Sequence, residues 1–184
     1  MPSLSNVRPQ RSHVFPFAVT ASALLWFVNR DAEISGITPR TVTLGVASVA
    51  VGYLLAILVV AAVNPDDTRS GIARTLFSPS NETLAVFAIA SLLLGGYAVT
   101  GFPFLPGELD FAVRLLGLTL GWPIIVTYGA TVVVGNAFGG RPPFAIEAVA
   151  VEFGVACTTV WVFLLSGWVT DAVGRLSGSV GIPR

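Results

Sequence analysis

The sequence has very little charge. Of its 184 residues only 11% are Asp, Glu, Lys or Arg, whereas 54% are hydrophobic. A soluble domain usually carries about 25% charged residues, because its surface faces water. The ten basic and ten acidic side chains cancel, and no run of like charges occurs. This composition excludes the clustered basic surface that nucleic-acid binding requires and favours a surface that faces lipid.

Lysine is absent, and histidine and cysteine each occur once, as His13 and Cys157. A single cysteine excludes an intrachain disulfide. A single histidine, outside the longest apolar runs, excludes bis-histidine haem ligation and a histidine proton relay within them. No Gly-x-Ser-x-Gly, His-Glu-x-x-His or phosphate-binding loop occurs, and no cluster of ligands indicates a metal. We therefore expect no cofactor, no metal and no enzymatic activity.

Long apolar runs are what the sequence has in abundance. Residues 42–63, 83–105, 111–134 and 144–169 each exceed the roughly 20 residues needed to span the hydrocarbon core of a bilayer. The runs are continuous, whereas barrel strands would alternate in segments of about 10 residues. Backbone groups in lipid must be satisfied within the segment, so these runs predict helices. The sequence thus predicts an all-α, polytopic transmembrane helix bundle in the cell membrane, with the lipid bilayer as its surroundings.

A fifth run, residues 14–29, is shorter and contains Pro16. At a rise of 1.5 Å per residue its apolar part, residues 14–28, reaches about 23 Å, less than a hydrocarbon core of about 30 Å. It could be a signal peptide that follows Arg8 and Arg11, an interfacial or re-entrant segment, or a span with Trp26 at the headgroup level. We favour a span, which gives five helices, with four helices as the alternative.

The bundle is accordingly expected to cover residues 14–170, between polar tails at residues 1–13 and 171–184. The distribution of Arg between the two faces should set the orientation. A five-span arrangement places five Arg on each face and so does not indicate the orientation. A four-span arrangement with both ends inside places seven of the ten Arg on the cytoplasmic face and three on the other. Charge therefore favours four spans, while the apolar runs allow five.

Proline and glycine mark the breaks between these runs. Thr38-Pro39 and Ser78-Pro79 each predict a helix N-cap followed by proline at the first helical position. Gly139-Gly140 predicts a tight turn between the last two long helices. Residues 69–77, just before the second break, fit either a short interfacial helix or a polar loop.

Glu152 is the residue most suggestive of chemistry, because it lies eight residues into the last apolar run. A charged carboxylate there costs about 2.5 to 3.5 kcal/mol, so it should point into the bundle. Asn136, Thr131 and Tyr128 of the preceding helix lie at a suitable depth and complete a candidate intramembrane polar site. The site could bind a proton or a cation. Alternatively, Glu152 is a neutral acid hydrogen-bonded to a neighbouring helix or extended toward the nearer surface.

Arg114 is a tempting partner for Glu152, but geometry argues against the pair. The two residues lie near the starts of consecutive antiparallel helices, on opposite membrane faces. At 1.5 Å per residue, their separation along the membrane normal should exceed about 15 Å. Arg114 is expected instead to extend to the interface beside Glu108 and Asp110.

The third long run carries features of helix packing. Gly117 and Gly121 are spaced so that two backbones can approach closely, and we expect them to pack within the chain more than between two chains. Pro123 is expected to kink this helix and to free a backbone carbonyl. Such a kink could act as a gate or be only a bend.

Arg without Lys, spans rich in Val, Ala, Gly and Thr such as residues 41–63, and acidic loops such as Asp66-Asp67 resemble the small multi-span membrane proteins of unassigned function found in halophilic archaea. The resemblance is one of composition over the whole chain, and it implies a membrane location and no particular activity. Two functional hypotheses follow from the residues. The chain is either a non-enzymatic membrane component that packs with itself or with an unidentified membrane partner, or a small transporter or channel subunit that uses Glu152.

Overall fold

The computed structural model describes residues 8–63, 71–100, 106–137, 139–140 and 144–179. Every element in this part of the chain is an α-helix, which confirms the all-α bundle. The six helices are α1 (Arg11–Ser35), α2 (Pro39–Val63), α3 (Gly71–Phe77), α4 (Asn81–Thr100), α5 (Gly107–Ala137) and α6 (Phe144–Ser179). The last residues of the predicted run 83–105, and the outer parts of both predicted tails, lie outside the described residues.

Four helical stretches are long and apolar enough to cross a membrane. They are Arg11–Arg30, Pro39–Val63, Leu109–Ala137 and Ala145–Ser177. A fifth crossing arises only if α3 and Asn81–Tyr97 of α4, which are bent by 72° at the break between them, count as one span. The chain is therefore a bundle of four or five candidate membrane spans. The short run at residues 14–29 supplies one of the four.

Two helices extend beyond the apolar runs that predict them. α1 begins at Arg11 and continues to Ser35, and α6 continues to Ser179. The tail boundaries at residues 13 and 171 therefore do not coincide with helix ends. Polar residues such as Asp171 and Arg175 end an apolar run, but they do not end a helix, because helix propensity does not depend on apolarity.

α6 is the central helix of the bundle. It contacts α1, α3, α4 and α5, whereas α2 packs mainly against α1. The largest fully buried side chains, Phe163, Val162 and Ser166, all belong to α6. The ring of Phe163 lies 5.3 Å from that of Phe15 on α1 and 4.8 Å from that of Phe87 on α4, measured between centroids. These contacts join three helices around one residue.

The α2 N-terminus is capped as expected. Thr38 precedes Pro39, the first helical residue. The Thr41 N–H donates to Thr38 Oγ1 at 3.2 Å, and the Thr38 N–H donates to Thr41 Oγ1 at 2.8 Å. This reciprocal pair satisfies two backbone donors that a helix start leaves unpaired.

The expectation for Ser78-Pro79 is wrong by two residues. α3 ends at Phe77 and α4 begins at Asn81. Ser80 is the cap, because its Oγ accepts from the Thr83 N–H at 3.1 Å. Pro79 instead occupies the break, where its missing N–H and fixed φ prevent α3 from continuing.

Gly139 ends α5 and makes the predicted turn toward α6. Its φ of 75° lies in the left-handed region that favours glycine. The Gly140 N–H donates to the Gly135 carbonyl at 3.0 Å, and the Gly139 N–H donates to the Asn136 carbonyl at 3.2 Å. This pair of bonds is the Schellman motif, which satisfies carbonyls at a helix C-terminus.

Candidate intramembrane polar site

Three of the four predicted site residues do come together, but around a different carboxylate. Tyr128, Thr131 and Asn136 line a cavity of about 380 Å³ between the end of α5 and the start of α6. Glu147 lines this cavity with them, and Glu152 does not. The prediction that these three residues share a polar site with Glu152 is therefore wrong.

The error is one of direction around α6 and, for Asn136, which shares its cavity with Glu147, also of depth. Gly154 lies against Ile124 and Thr127 of α5, and Thr158 Oγ1 accepts from the Ile124 N–H at 3.1 Å. Gly154 and Thr158, one turn apart, thus define the side of α6 that faces α5. Glu152 precedes Gly154 by two residues, which is about 200° around a helix. Its side chain consequently points away from the helix that carries the predicted partners.

Glu152 lies on the side of α6 that faces α1. Thr159, two turns further along and in nearly the same direction, has its Oγ1 3.0 Å from Ser22 Oγ of α1. The Oε1 atom of Glu152 is buried and has no hydrogen-bond partner among the described residues. A buried oxygen without a partner costs free energy. Glu152 therefore stays a candidate site, with surroundings other than those predicted.

Glu147 belongs to a charged cluster at the end of α1. Its Oε1 lies 3.6 Å from Arg30 Nη1, and both side chains are partly exposed. The guanidinium of Arg30 also lies over the ring of Trp26, 5.5 Å from its centroid. Exposed ion pairs contribute little to stability. The cluster mainly shows that the end of α1 and the start of α6 lie at the same membrane face.

Arg114 lies beside Asp110, one of its two predicted neighbours. Its Nε lies 2.8 Å from Asp110 Oδ2, one helical turn earlier. The pair lies in the first turns of α5, and Arg114 is largely exposed. The side chain of Glu108, the other predicted neighbour, lies outside the described residues.

The carbonyl that Pro123 frees has a specific partner. Proline has no N–H to donate to the carbonyl four residues earlier, which here belongs to Thr119. The indole Nε1 of Trp161 donates to that carbonyl at 3.0 Å. The next N–H along, that of Ile124, donates to Thr158 Oγ1. α6 thus supplies partners on both sides of the proline, and α5 continues as one helix through Pro123.

The predicted packing glycines lie at a contact within the chain. A Cβ atom on Gly117 would lie 3.2 Å from Cδ1 of Tyr97, and one on Gly121 would lie 3.4 Å from Cδ1 of Leu94. Both partners belong to α4, so the two glycines seat α4 against α5. A closer approach occurs at Gly154, where a Cβ atom would lie 3.1 Å from Cα of Ile124.

A second polar region lies at the opposite end of α6, and sequence reasoning missed it. Thr83 Oγ1 and Thr170 Oγ1 are 3.0 Å apart. Beside them, Arg74, Ser80 and Asp171 line a cavity of about 410 Å³ between α3, α4 and α6. No local pattern predicts this cluster, because it forms only when α3 and α4 pack against the end of α6.

Comparison with protein-family models, with curated proteins and with solved structures finds no match to this chain. Its function must therefore be inferred from its own geometry. That geometry offers polar cavities at both ends of α6, a buried carboxyl oxygen at Glu152, and hydroxyl groups that join neighbouring helices.

Proposed function

We propose that this chain is a non-enzymatic component of a membrane, which associates with a second copy of itself or with another membrane protein. Its apolar helices support the membrane location. The outward face of α2 carries the rest of the proposal.

The polar side chains within the apolar helices support a structural role. Ser22 and Thr159 join α1 to α6, and Trp161 binds the backbone of α5 at Thr119. Within a bilayer, such hydrogen bonds and close packing hold helices together, because lipid tails are as apolar as the side chains. These polar groups thus have roles in the assembly of the bundle that require no bound substrate.

The outward face of α2 is the observation that favours association. Thr41, Gly52 and Ala56 of α2 are buried. The opposite side of the helix carries Thr43, Ala47 and Ala50, all exposed. Small side chains on an exposed face allow another helix to approach closely.

Cysteine cross-linking in native membranes tests this proposal. In a Cys157→Ser background, Ala47→Cys is treated with an oxidant to detect a second copy, and with a bifunctional photo-reactive maleimide to detect other partners. We expect a cross-linked adduct from Ala47→Cys. Leu92→Cys on α4, a position 75% exposed, is the control and should stay monomeric. A purely monomeric Ala47→Cys under both treatments would contradict association through α2.

A second candidate function is transport of protons or cations through Glu152. The buried Oε1 of this residue, which has no hydrogen-bond partner in the part of the chain that the structure describes, favours it. Intramembrane carboxylates commonly mark ion or proton pathways, because their burial is otherwise unfavourable. Glu152 would then act as the group that takes up and releases the ion.

Proteoliposomes loaded with a pH-sensitive dye test this second function. Glu152→Gln keeps the shape of the side chain and removes its charge, so it should lower proton flux at least tenfold. Glu147→Gln, at the partly exposed ion pair with Arg30, is the matched control and should retain flux. No flux above that of protein-free vesicles, in the unaltered protein, would exclude proton transport.

A further inference from the structure

The direction of α6 relative to α1 is fixed by contacts along both helices. In order along α1, these contacts are Phe15 with Phe163, Ser22 with Thr159, and Arg30 with Glu147. The partner numbers fall as the α1 numbers rise, so the two helices are antiparallel. The membrane face at which α1 begins, called the proximal face below, therefore also holds the end of α6. The opposite face is the distal face.

α5 is antiparallel to α6 in the same way. In order along α5, its contacts are Thr119 with Trp161, Ile124 with Thr158, and Thr127 with Gly154. α5 therefore begins at the proximal face, beside the end of α6, and ends at the distal face, where Gly139 turns the chain.

α3 and the start of α4 also lie at the proximal face. α2 starts at the distal face, directly after the end of α1, and its contacts Gly45 with Val28 and Gly52 with Ala21 lead back along α1 toward the proximal face. Thr75 of α3 lies against Gly167, and Thr83 of α4 lies against Thr170. Both contacts are with the last turns of α6.

The far end of α4 does not reach the distal face. Its residues Leu94 and Tyr97 contact Gly121 and Gly117, which belong to the first half of α5. A helix that crossed the membrane completely would meet the second half of α5 instead, near Thr131. α4 therefore lies obliquely in the proximal half of the bilayer, consistent with the 72° bend between α3 and α4.

We infer that α3 and α4 form a re-entrant pair, which enters and leaves the membrane at the proximal face, and that the proximal face is cytoplasmic. α5 begins at the face where α3 also begins, so the segment between α2 and α5 makes no net crossing. The membrane is then crossed four times, by α1, α2, α5 and α6.

The positions of arginine support the orientation. Among the described residues, the proximal face holds Arg8, Arg11, Arg74, Arg114 and Arg175, and the distal face holds Arg30 and Arg40. Cytoplasmic segments carry the excess of basic residues in multi-span proteins. The cavity lined by Arg74, Ser80 and Asp171 then opens toward the cytoplasm, and the cavity beside Glu147 opens toward the outside.

Labelling of single cysteines with a membrane-impermeant maleimide tests both parts of the inference. In a Cys157→Ser background, Ser80→Cys and Gly107→Cys lie on either side of α4, and Ile37→Cys and Gly140→Cys mark the distal face. All four positions are exposed. We expect Ile37→Cys and Gly140→Cys to react in intact cells. Ser80→Cys and Gly107→Cys should react only after the cells are permeabilised.

Two results would overturn the inference. If Ser80→Cys and Gly107→Cys react from opposite faces, α4 crosses the membrane and no re-entrant pair exists. If both react in intact cells while Ile37→Cys does not, the proximal face is external. Ser177→Cys and Asn136→Cys repeat the measurement at a second position on each face, so that loss of one variant leaves the test intact. The outcome does not depend on whether the chain associates or transports.

Discussion

α6 and α2 are both apolar enough to cross a membrane, yet they occupy opposite kinds of environment. α6 contacts four other helices and contains the largest fully buried side chains, whereas α2 packs mainly against α1 and exposes most of its surface. α6 is also the helix that carries Glu147, Glu152 and most of the interhelical hydroxyl contacts. In a bilayer the apolarity of a helix reflects how much of it faces lipid. Hydropathy therefore identifies α2 most clearly and says little about which helix is central.

Truncating Phe163 should give the largest effect and is the strongest test of this difference. Phe163 is fully buried between Phe15 and Phe87. Phe→Ala costs about 3 to 5 kcal/mol in soluble cores, but the part due to transfer from water is missing in lipid. We expect Phe163→Ala to lower the free energy of unfolding by about 2 to 3 kcal/mol, measured by circular dichroism in mixed dodecylmaltoside and SDS micelles.

Leu58→Ala on α2 is the control for this prediction. Leu58 is 64% exposed, so truncating its side chain leaves no cavity. The free energy of unfolding should therefore change by less than about 0.5 kcal/mol. If Phe163→Ala and Leu58→Ala lowered the free energy of unfolding equally, α6 would not be the centre of the bundle.

Gly154→Ala tests the close approach of α5 and α6. The added methyl group would lie 3.1 Å from the Ile124 backbone and would overlap Thr127, and overpacking of this kind costs about 1 to 3 kcal/mol. Gly129→Ala on α5 is the matched control, because a Cβ atom there meets nothing within 4 Å. We expect the Gly154 variant to unfold at a lower fraction of SDS in the mixed micelles. The Gly129 variant should keep the stability of the unaltered protein or become slightly more stable. The reverse order would contradict the contact.

A double-mutant cycle tests whether Trp161 compensates for Pro123. Trp161→Phe removes the donor to the Thr119 carbonyl and should cost about 1 kcal/mol. In a Pro123→Ala background the new N–H takes that carbonyl, so the same change should cost much less. Trp168→Phe, which loses only an aromatic contact to Trp161, should show no such dependence on residue 123. If Trp161→Phe lowered the free energy of unfolding equally in the two backgrounds, the indole of Trp161 would not compensate for Pro123.

The sequence predicts most local features of this bundle, with the start of α4 as an exception, and predicts spatial neighbours poorly. The cap at Thr38, the turn at Gly139 and the carbonyl freed by Pro123 depend on nearby residues, and the structure contains all three. The partners of Glu152 depend on how α6 is rotated about its axis. The apolar surface of α6 is nearly uniform around the helix, so no hydrophobic stripe indicates how α6 is rotated. The partner of the freed carbonyl, Trp161, and the cluster at Thr83 and Thr170 likewise arise only from the contact of distant helices.

The smallest expected effect comes from removing a single hydroxyl group. The test compares a hydroxyl that joins two helices with one that bonds only within its own helix. Thr159 lies 3.0 Å from Ser22 across the α1–α6 contact, whereas Thr43 on the exposed side of α2 donates to the Pro39 carbonyl of the same helix. Threonine to valine replaces the hydroxyl with a methyl group of similar size in both cases. Interhelical hydrogen bonds in membranes contribute about 0.6 kcal/mol on average. We expect Thr159→Val to lose about this amount and Thr43→Val almost none, measured by the same micellar unfolding. If Thr43→Val were the more damaging change, the outward face of α2 would itself make a contact that stabilises the fold, and the contrast between α2 and α6 would fail.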